Sequence, residues 1–143
     1  MKMHLNLATR ELDASVAFYR TLLQIEPAKH YDDYALFIGD DPGLELALDL
    51  DTDAPLVTGV HYGIVVDTAD DVEAAIKRLE GAKYAVDIER EETCCYAVQT
   101  KVWATDPDGR RWEVYTVLED VEERDDASGC CVDEPAEEFA TVR

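Results

Sequence analysis

A chain of 143 residues is long enough for one domain with a substantial hydrophobic core. Thirty-three acidic against 13 basic side chains give a formal net charge of −20, a surface that repels nucleic acid and anionic lipid and argues against either as a partner. No apolar run approaches a membrane span and no signal-peptide pattern opens the chain, so the expectation is a cytoplasmic protein.

Met3 to Ala8 alternates as a strand, with Met3, Leu5 and Leu7 on one face and His4 and Asn6 on the other. A helix follows from about Asp13 to Leu23, its stripe formed by Leu12, Val16, Tyr19 and Leu23, and Glu26-Pro27 is expected to end it. Tyr34–Ile38 and Leu44–Leu50 read as strands around a Gly39-to-Gly43 turn, and Asp51 to Pro55 as a linker. The pattern then restarts. Val60–Val66 is a strand with His61 near its start, and Asp70 with Glu73 suggests a capping box. Val72, Ala75, Ile76 and Leu79 form a second stripe, with Gly81 placed as a C-cap. Tyr84–Glu89, Ala97–Ala104 and Arg110–Leu118 supply three more strands, the last two joined at Asp106-Pro-Asp-Gly109.

The repeat is strand–helix–three strands, twice, giving an α+β fold of two tandem βαβββ modules at about residues 1–52 and 58–118 within one domain. His4 and His61 stand at matching positions, as do Glu45 and Glu113. Histidine to glutamate is 45 − 4 = 41 residues in the first module and 113 − 61 = 52 in the second. The second module therefore carries an insertion of about eleven residues, judged against ordinary loop variation. Cys94 and Cys95 fall in or beside it, where function is commonly added to a scaffold. Residues 119–143 hold ten carboxylates and two arginines, the composition of a disordered acidic tail.

Two histidines and a carboxylate on separate strands make a facial triad that leaves coordination positions open on a ferrous ion; His4, His61 and Glu113 fit that pattern. Other readings of the same residues stand beside it. Glu45 would make a fourth ligand and a closed Lewis-acid site. Glu113, flanked by Arg110 and Arg111, would be a solvent-facing ion-pair partner of small energetic value. His30 reads as a packed or surface residue.

The four cysteines form two adjacent pairs, Cys94-Cys95 and Cys130-Cys131. In a reducing compartment this favours metal or metalloid chemistry over a disulfide framework. Neighbouring strand residues point to opposite faces, so Cys94 and Cys95 can grip one soft atom only from a turn or bulge. A trivalent arsenical with one carbon substituent has two exchangeable oxygens, which two thiolates would replace. The bland alternatives are two small buried residues or a strained vicinal disulfide. Tyr62, Tyr96, Trp103, Trp112 and Tyr115 read as wall and core residues, and Cys130-Cys131 as a metalloid-capturing pair in the tail.

With these residues in view the chain resembles the vicinal oxygen chelate superfamily, and within it the carbon–arsenic lyases of arsenic resistance, relatives of cadmium-induced proteins. The resemblance covers residues 1 to about 120. It rests on His4-Leu-Asn-Leu, Leu12 to Tyr19, Glu26-Pro-Ala-Lys29, Thr93-Cys-Cys-Tyr96, Lys101-Val-Trp103, Asp106-Pro-Asp-Gly109 and the run from Arg111 to Asp120. It implies a curled, barrel-like mixed sheet and an Fe(II)- and O2-dependent enzyme. The implied reaction cleaves the carbon–arsenic bond of small trivalent organoarsenicals, methylarsonous acid or aryl arsenicals, to arsenite. By that resemblance Cys94 and Cys95 hold arsenic, His61 and Glu113 hold iron, and His4 occupies the first-strand ligand position. Whether the modules pair within one chain or across a homodimer stays open. So do a thiol-based cadmium or arsenite sink and another dioxygenase or glyoxalase-type reaction of the superfamily, although neither ring cleavage nor thiol transfer accounts for adjacent cysteines.

Overall fold

The computed structural model describes residues 1–122; the expectations for the remaining tail, Cys130 and Cys131 included, lie outside the described residues. The element order is β1 (Met3–Thr9), α1 (Leu12–Leu23), β2 (Lys29–His30), β3 (Tyr34–Asp40), β4 (Gly43–Leu50), β5 (His61–Val65), α2 (Ala69–Gly81), β6 (Val86–Cys94), β7 (Ala97–Thr105) and β8 (Arg111–Asp120). Each module forms its own four-stranded mixed sheet, in the orders β1-β4-β3-β2 and β5-β8-β7-β6. In each, the first strand pairs parallel with the last across a helical crossover, the connection that parallel neighbours require. The two-residue β2 supplies the strand that the first-module pattern left unassigned.

Both expected helix stripes are buried: Leu12, Val16, Tyr19 and Leu23 on α1, and Val72, Ala75, Ile76 and Leu79 on α2. They share one core with Leu7, Phe37, Leu46 and Leu48 of the first sheet and Val102, Ala104, Trp112 and Val114 of the second. Trp112 is thus a core residue, 3 % exposed, with its ring 5.6 Å from Tyr19. α1 ends at Leu23 as expected, but three helix terminations use residues other than those expected. α1 stops at Leu23 because Gln24 adopts a left-handed conformation and donates its N–H to the Arg20 carbonyl, three residues ahead of Pro27. α2 is capped by Thr68, whose hydroxyl oxygen accepts from Asp71 N–H in a reciprocal capping box. Asp70 and Glu73 are each two residues too late for those roles. At the other end Gly81 lies within α2, and the positive φ falls on Lys83.

A buried polar cluster joins the modules. Arg110 donates to the Ala8 carbonyl at 2.7 Å and to Asp106 at 3.1 Å; Tyr19 donates to Asp106 at 2.6 Å; Asp108 accepts from Arg10 N–H at 3.0 Å. Arg110 is therefore spent on this junction and does not flank Glu113. Gly109 has φ +92°, and a Cβ there would lie 2.7 Å from the Val57 carbonyl oxygen, so only glycine fits the turn. These contacts attach the second module to the C-terminal end of β1.

Candidate metal and thiol site

Strand alternation gives the second sheet one face toward α2 and one away from it. The outward face carries Gln99, Lys101 and Trp103 on β7, Arg111, Glu113 and Tyr115 on β8, and His61 and Gly63 on β5. The register aligns His61 with Arg111, Gly63 with Glu113 and Trp103 with Glu113. His61, Cys94, Cys95, Gln99, Lys101, Trp103, Glu113 and Tyr115 line one cleft of about 160 Å³. At roughly 30 Å³ per water, that volume suits a few waters or a small molecule.

His61 Nε2 and Glu113 Oε1 stand 3.9 Å apart. This is too long for a hydrogen bond and within the roughly 4.2 Å that two donors at about 2.1 Å from one ion can span. The other carboxylate oxygen, Oε2, is buried and has no hydrogen-bond partner. Lys101 Nζ lies 3.4 Å from it, close enough for attraction but without hydrogen-bond geometry. Opposite the carboxylate, Gly63 leaves the space free: a Cβ there would meet Tyr115 Cε1 at 3.0 Å and Glu113 Oε1 at 3.2 Å. Burial, and the Glu113 charge after it, push the Tyr115 phenol above its ordinary range. Trp103 packs edge-on against His61 with ring centroids 5.4 Å apart, and its Nε1 donates to Glu89 at 2.9 Å.

The thiols owe their placement to an unusual turn. Cys94 ends β6, pairs with Ala97, and is 1 % exposed; Cys95 and Tyr96 form the two-residue loop, with φ +53° and +66°. Positive φ at both loop positions is the hairpin conformation usually given to Asn-Gly. It turns the two neighbouring sulfurs toward one another, 3.5 Å apart. An atom bound about 2.3 Å from each, as thiolates bind zinc, would subtend an S–X–S angle of about 100° at that separation. Cys94 carries a disulfide, so a chelating pair requires its reduction. The turn is braced by Gln99, which donates to the Cys94 carbonyl at 3.3 Å, and by Val121 N–H, which donates to the Tyr96 carbonyl at 2.9 Å.

The structure brings His61, Glu113, Cys94 and Cys95 together. It does not bring His4 to them. His4 Nδ1 lies 3.4 Å from Glu45 Oε2 on the outward face of the first sheet, near the N-terminal end of β1. Its strand meets the second module at Ala8, four residues or about 13 Å along at 3.3 Å per residue. Among the described residues no group of three or more His, Cys, Asp or Glu side chains is arranged to hold an ion. His30 is a surface residue 3.3 Å from Asp13. A larger cleft of about 290 Å³ at the module junction is lined by Pro42, Ile64, Asp67, Asp71 and Arg78 among others and contains no histidine or cysteine. Sequence reasoning missed Lys101, Glu89 and Gly63. The available signal was the alternation of Gln99, Lys101 and Trp103 on one strand face.

A family model described as the Glyoxalase/Bleomycin resistance protein/Dioxygenase superfamily matches residues 3–114. The chain is 43 % identical over 121 residues to a cadmium-induced protein, CadI, of Mycobacterium bovis, covering 85 % of this chain and 79 % of that one. It is 38 % identical over 139 residues to a trivalent organoarsenical cleaving enzyme of a Bacillus strain, covering 96 % and 86 %. Among solved structures it resembles a glyoxalase/bleomycin resistance protein/dioxygenase from Alicyclobacillus acidocaldarius, with a TM-score of 0.65 at 21 % identity over 83 % of this chain and 92 % of the other. No described helix is long and apolar enough to cross a membrane.

Proposed function

The chain belongs to the glyoxalase/bleomycin resistance/dioxygenase superfamily, and from that premise we propose that it cleaves the carbon–arsenic bond of trivalent organoarsenicals and releases arsenite. The observation that carries this reading is the single cleft shared by two adjacent cysteines and a histidine–carboxylate pair. A thiol sink needs no such pair, and a glyoxalase-type reaction needs no second sulfur.

The donor set fits a divalent ion. His61 Nε2 and Glu113 Oε1 face each other at ion-bridging distance, and the buried carboxylate has an oxygen with no hydrogen bond to satisfy it. Imidazole with carboxylate suits iron among the transition metals. His61 and Glu113 would hold a ferrous ion, and His4 would complete the set from a second copy of the chain, since its own strand carries it elsewhere. When bound, the ion supplies activation of dioxygen, the co-substrate. The protein's own residues do the rest. Reduced Cys94 and Cys95 replace the two oxygens of a methylarsonous or aryl arsenous acid and fix arsenic in the cleft. Trp103 and Tyr115 wall the organic substituent, and Gly63 keeps the approach to Glu113 clear. Positioning of this kind lowers a barrier by roughly 7–11 kcal/mol in favourable cases.

Incubation of the reduced protein with methylarsonous acid, Fe(II) and air, followed by arsenic speciation, tests the reading. The expected result is arsenite in several-fold excess over protein, lost without iron or oxygen. Stoichiometric capture of intact methylarsonous acid would instead make the protein a sink, a reading that similarity to a cadmium-induced relative keeps in play.

A further inference from the structure

We propose that Lys101 is a positioning residue that aims Glu113 at the ion, an inference that rests on the metal reading above. Lysine is almost never fully buried unless paired, yet Lys101 is 2 % exposed in the middle of β7. Its ammonium lies 3.4 Å from Glu113 Oε2 and 3.9 Å from Glu89 Oε2. The Trp103 ring centroid is 5.5 Å away. Trp103 in turn donates to Glu89 Oε1 and stacks edge-on against His61, and the Arg111 guanidinium sits 4.3 Å from the same ring. The contacts close a ring: Lys101, Glu113, His61, Trp103, Glu89 and back to Lys101.

Within that ring the two oxygens of Glu113 are differentiated. Oε2 is drawn toward the ammonium and Oε1 is left facing His61. Gly63 leaves the carboxylate room on the other side. Outer partners of this type orient metal ligands, and their loss commonly costs tenfold to a hundredfold in metal affinity. A simpler role predicts the opposite sign. Were Lys101 only a charge near the site, deleting it would remove repulsion from a cation and tighten binding.

The test is Co(II) titration of the full chain by calorimetry, without turnover, for wild type, Lys101→Met and Lys101→Gln, with the melting temperature of each metal-free form. Lys101→Met is expected to weaken Co(II) binding at least tenfold. Lys101→Gln is neutral too but keeps a donor for Glu113 Oε2, so it should recover most of that loss. If Lys101→Met fails to fold, Lys101→Gln decides alone: affinity within a few-fold below wild type supports positioning. Tighter binding in either variant, or unchanged binding in a folded Lys101→Met, overturns the inference and leaves the metal reading standing. Wild-type protein that takes up no Co(II) overturns both.

Discussion

Cys95 and Tyr96 hold a backbone conformation that costs an ordinary L-residue about 1–2 kcal/mol. Strain of this kind persists where surrounding structure enforces it and clusters at functional sites; here it sets the sulfur–sulfur separation. Gly63 is a second single-residue constraint. Gly63→Ala places a methyl 3.2 Å from Glu113 Oε1 and 3.0 Å from Tyr115, so the carboxylate must give way. The expected outcome is a metal affinity reduced about tenfold with a melting temperature within a few degrees of wild type, because strand alanine is otherwise tolerated and replaces a more costly glycine. Calorimetric metal titration beside thermal melts checks it.

Much of this was legible because the duplication supplied a second copy against which to read each residue. His61 and Glu113 stand out through their counterparts His4 and Glu45, and Cys94 and Cys95 through their adjacency in or beside the insertion. Lys101 was not legible: a solitary strand lysine reads as solvent-facing, and only the packing of Trp103 and Glu89 around it shows otherwise. Convergence of His4 with His61 was an inference from symmetry. Equivalent positions in two modules are related by a rotation, and nothing in a linear pattern says whether that rotation brings them together within one chain.

At the scale of elements, the joint between modules is the part most exposed to pH. Burial, with the nearby Asp106 charge and hydrogen bond adding to it, pushes the Tyr19 phenol well above its ordinary range. The folded state therefore keeps a proton that the unfolded chain releases above about pH 10. Stability from this group is complete below that pH and falls as pH rises through it. Tyr19→Phe should cost about 1 kcal/mol at neutral pH, through the lost bond to Asp106, while showing a shallower loss of stability above pH 10. Denaturant melts of both proteins across that range measure the difference; parallel pH profiles would contradict the assignment. Helix stripes and strand alternation were readable here from periodicity alone. Caps were less so, since Thr68 with Asp71 and Asp70 with Glu73 both satisfy the spacing, and tertiary docking selects between them.

The whole molecule carries a formal charge of −20, and self-repulsion of that size opposes compaction in dilute buffer. Raising KCl to about 1 M shortens the screening length to about 3 Å, so the melting temperature should climb steadily with salt. A melting temperature flat across that range would show that the acidic surface exacts no folding penalty. At this scale the two sheets also present outward faces, His4 and Glu45 on one and His61 and Glu113 on the other. A second copy of the chain is the proposed source of the remaining ligand.

In the proposed reaction the sulfurs of Cys94 and Cys95 and the His61–Glu113 pair act together on one substrate. The direct measurement is arsenite release from methylarsonous acid by reduced wild type, Cys94→Ser and Cys95→Ser, with bound iron quantified in each. Loss of turnover in both variants with iron retained is the predicted result; demethylation at the wild-type rate by either one would contradict it.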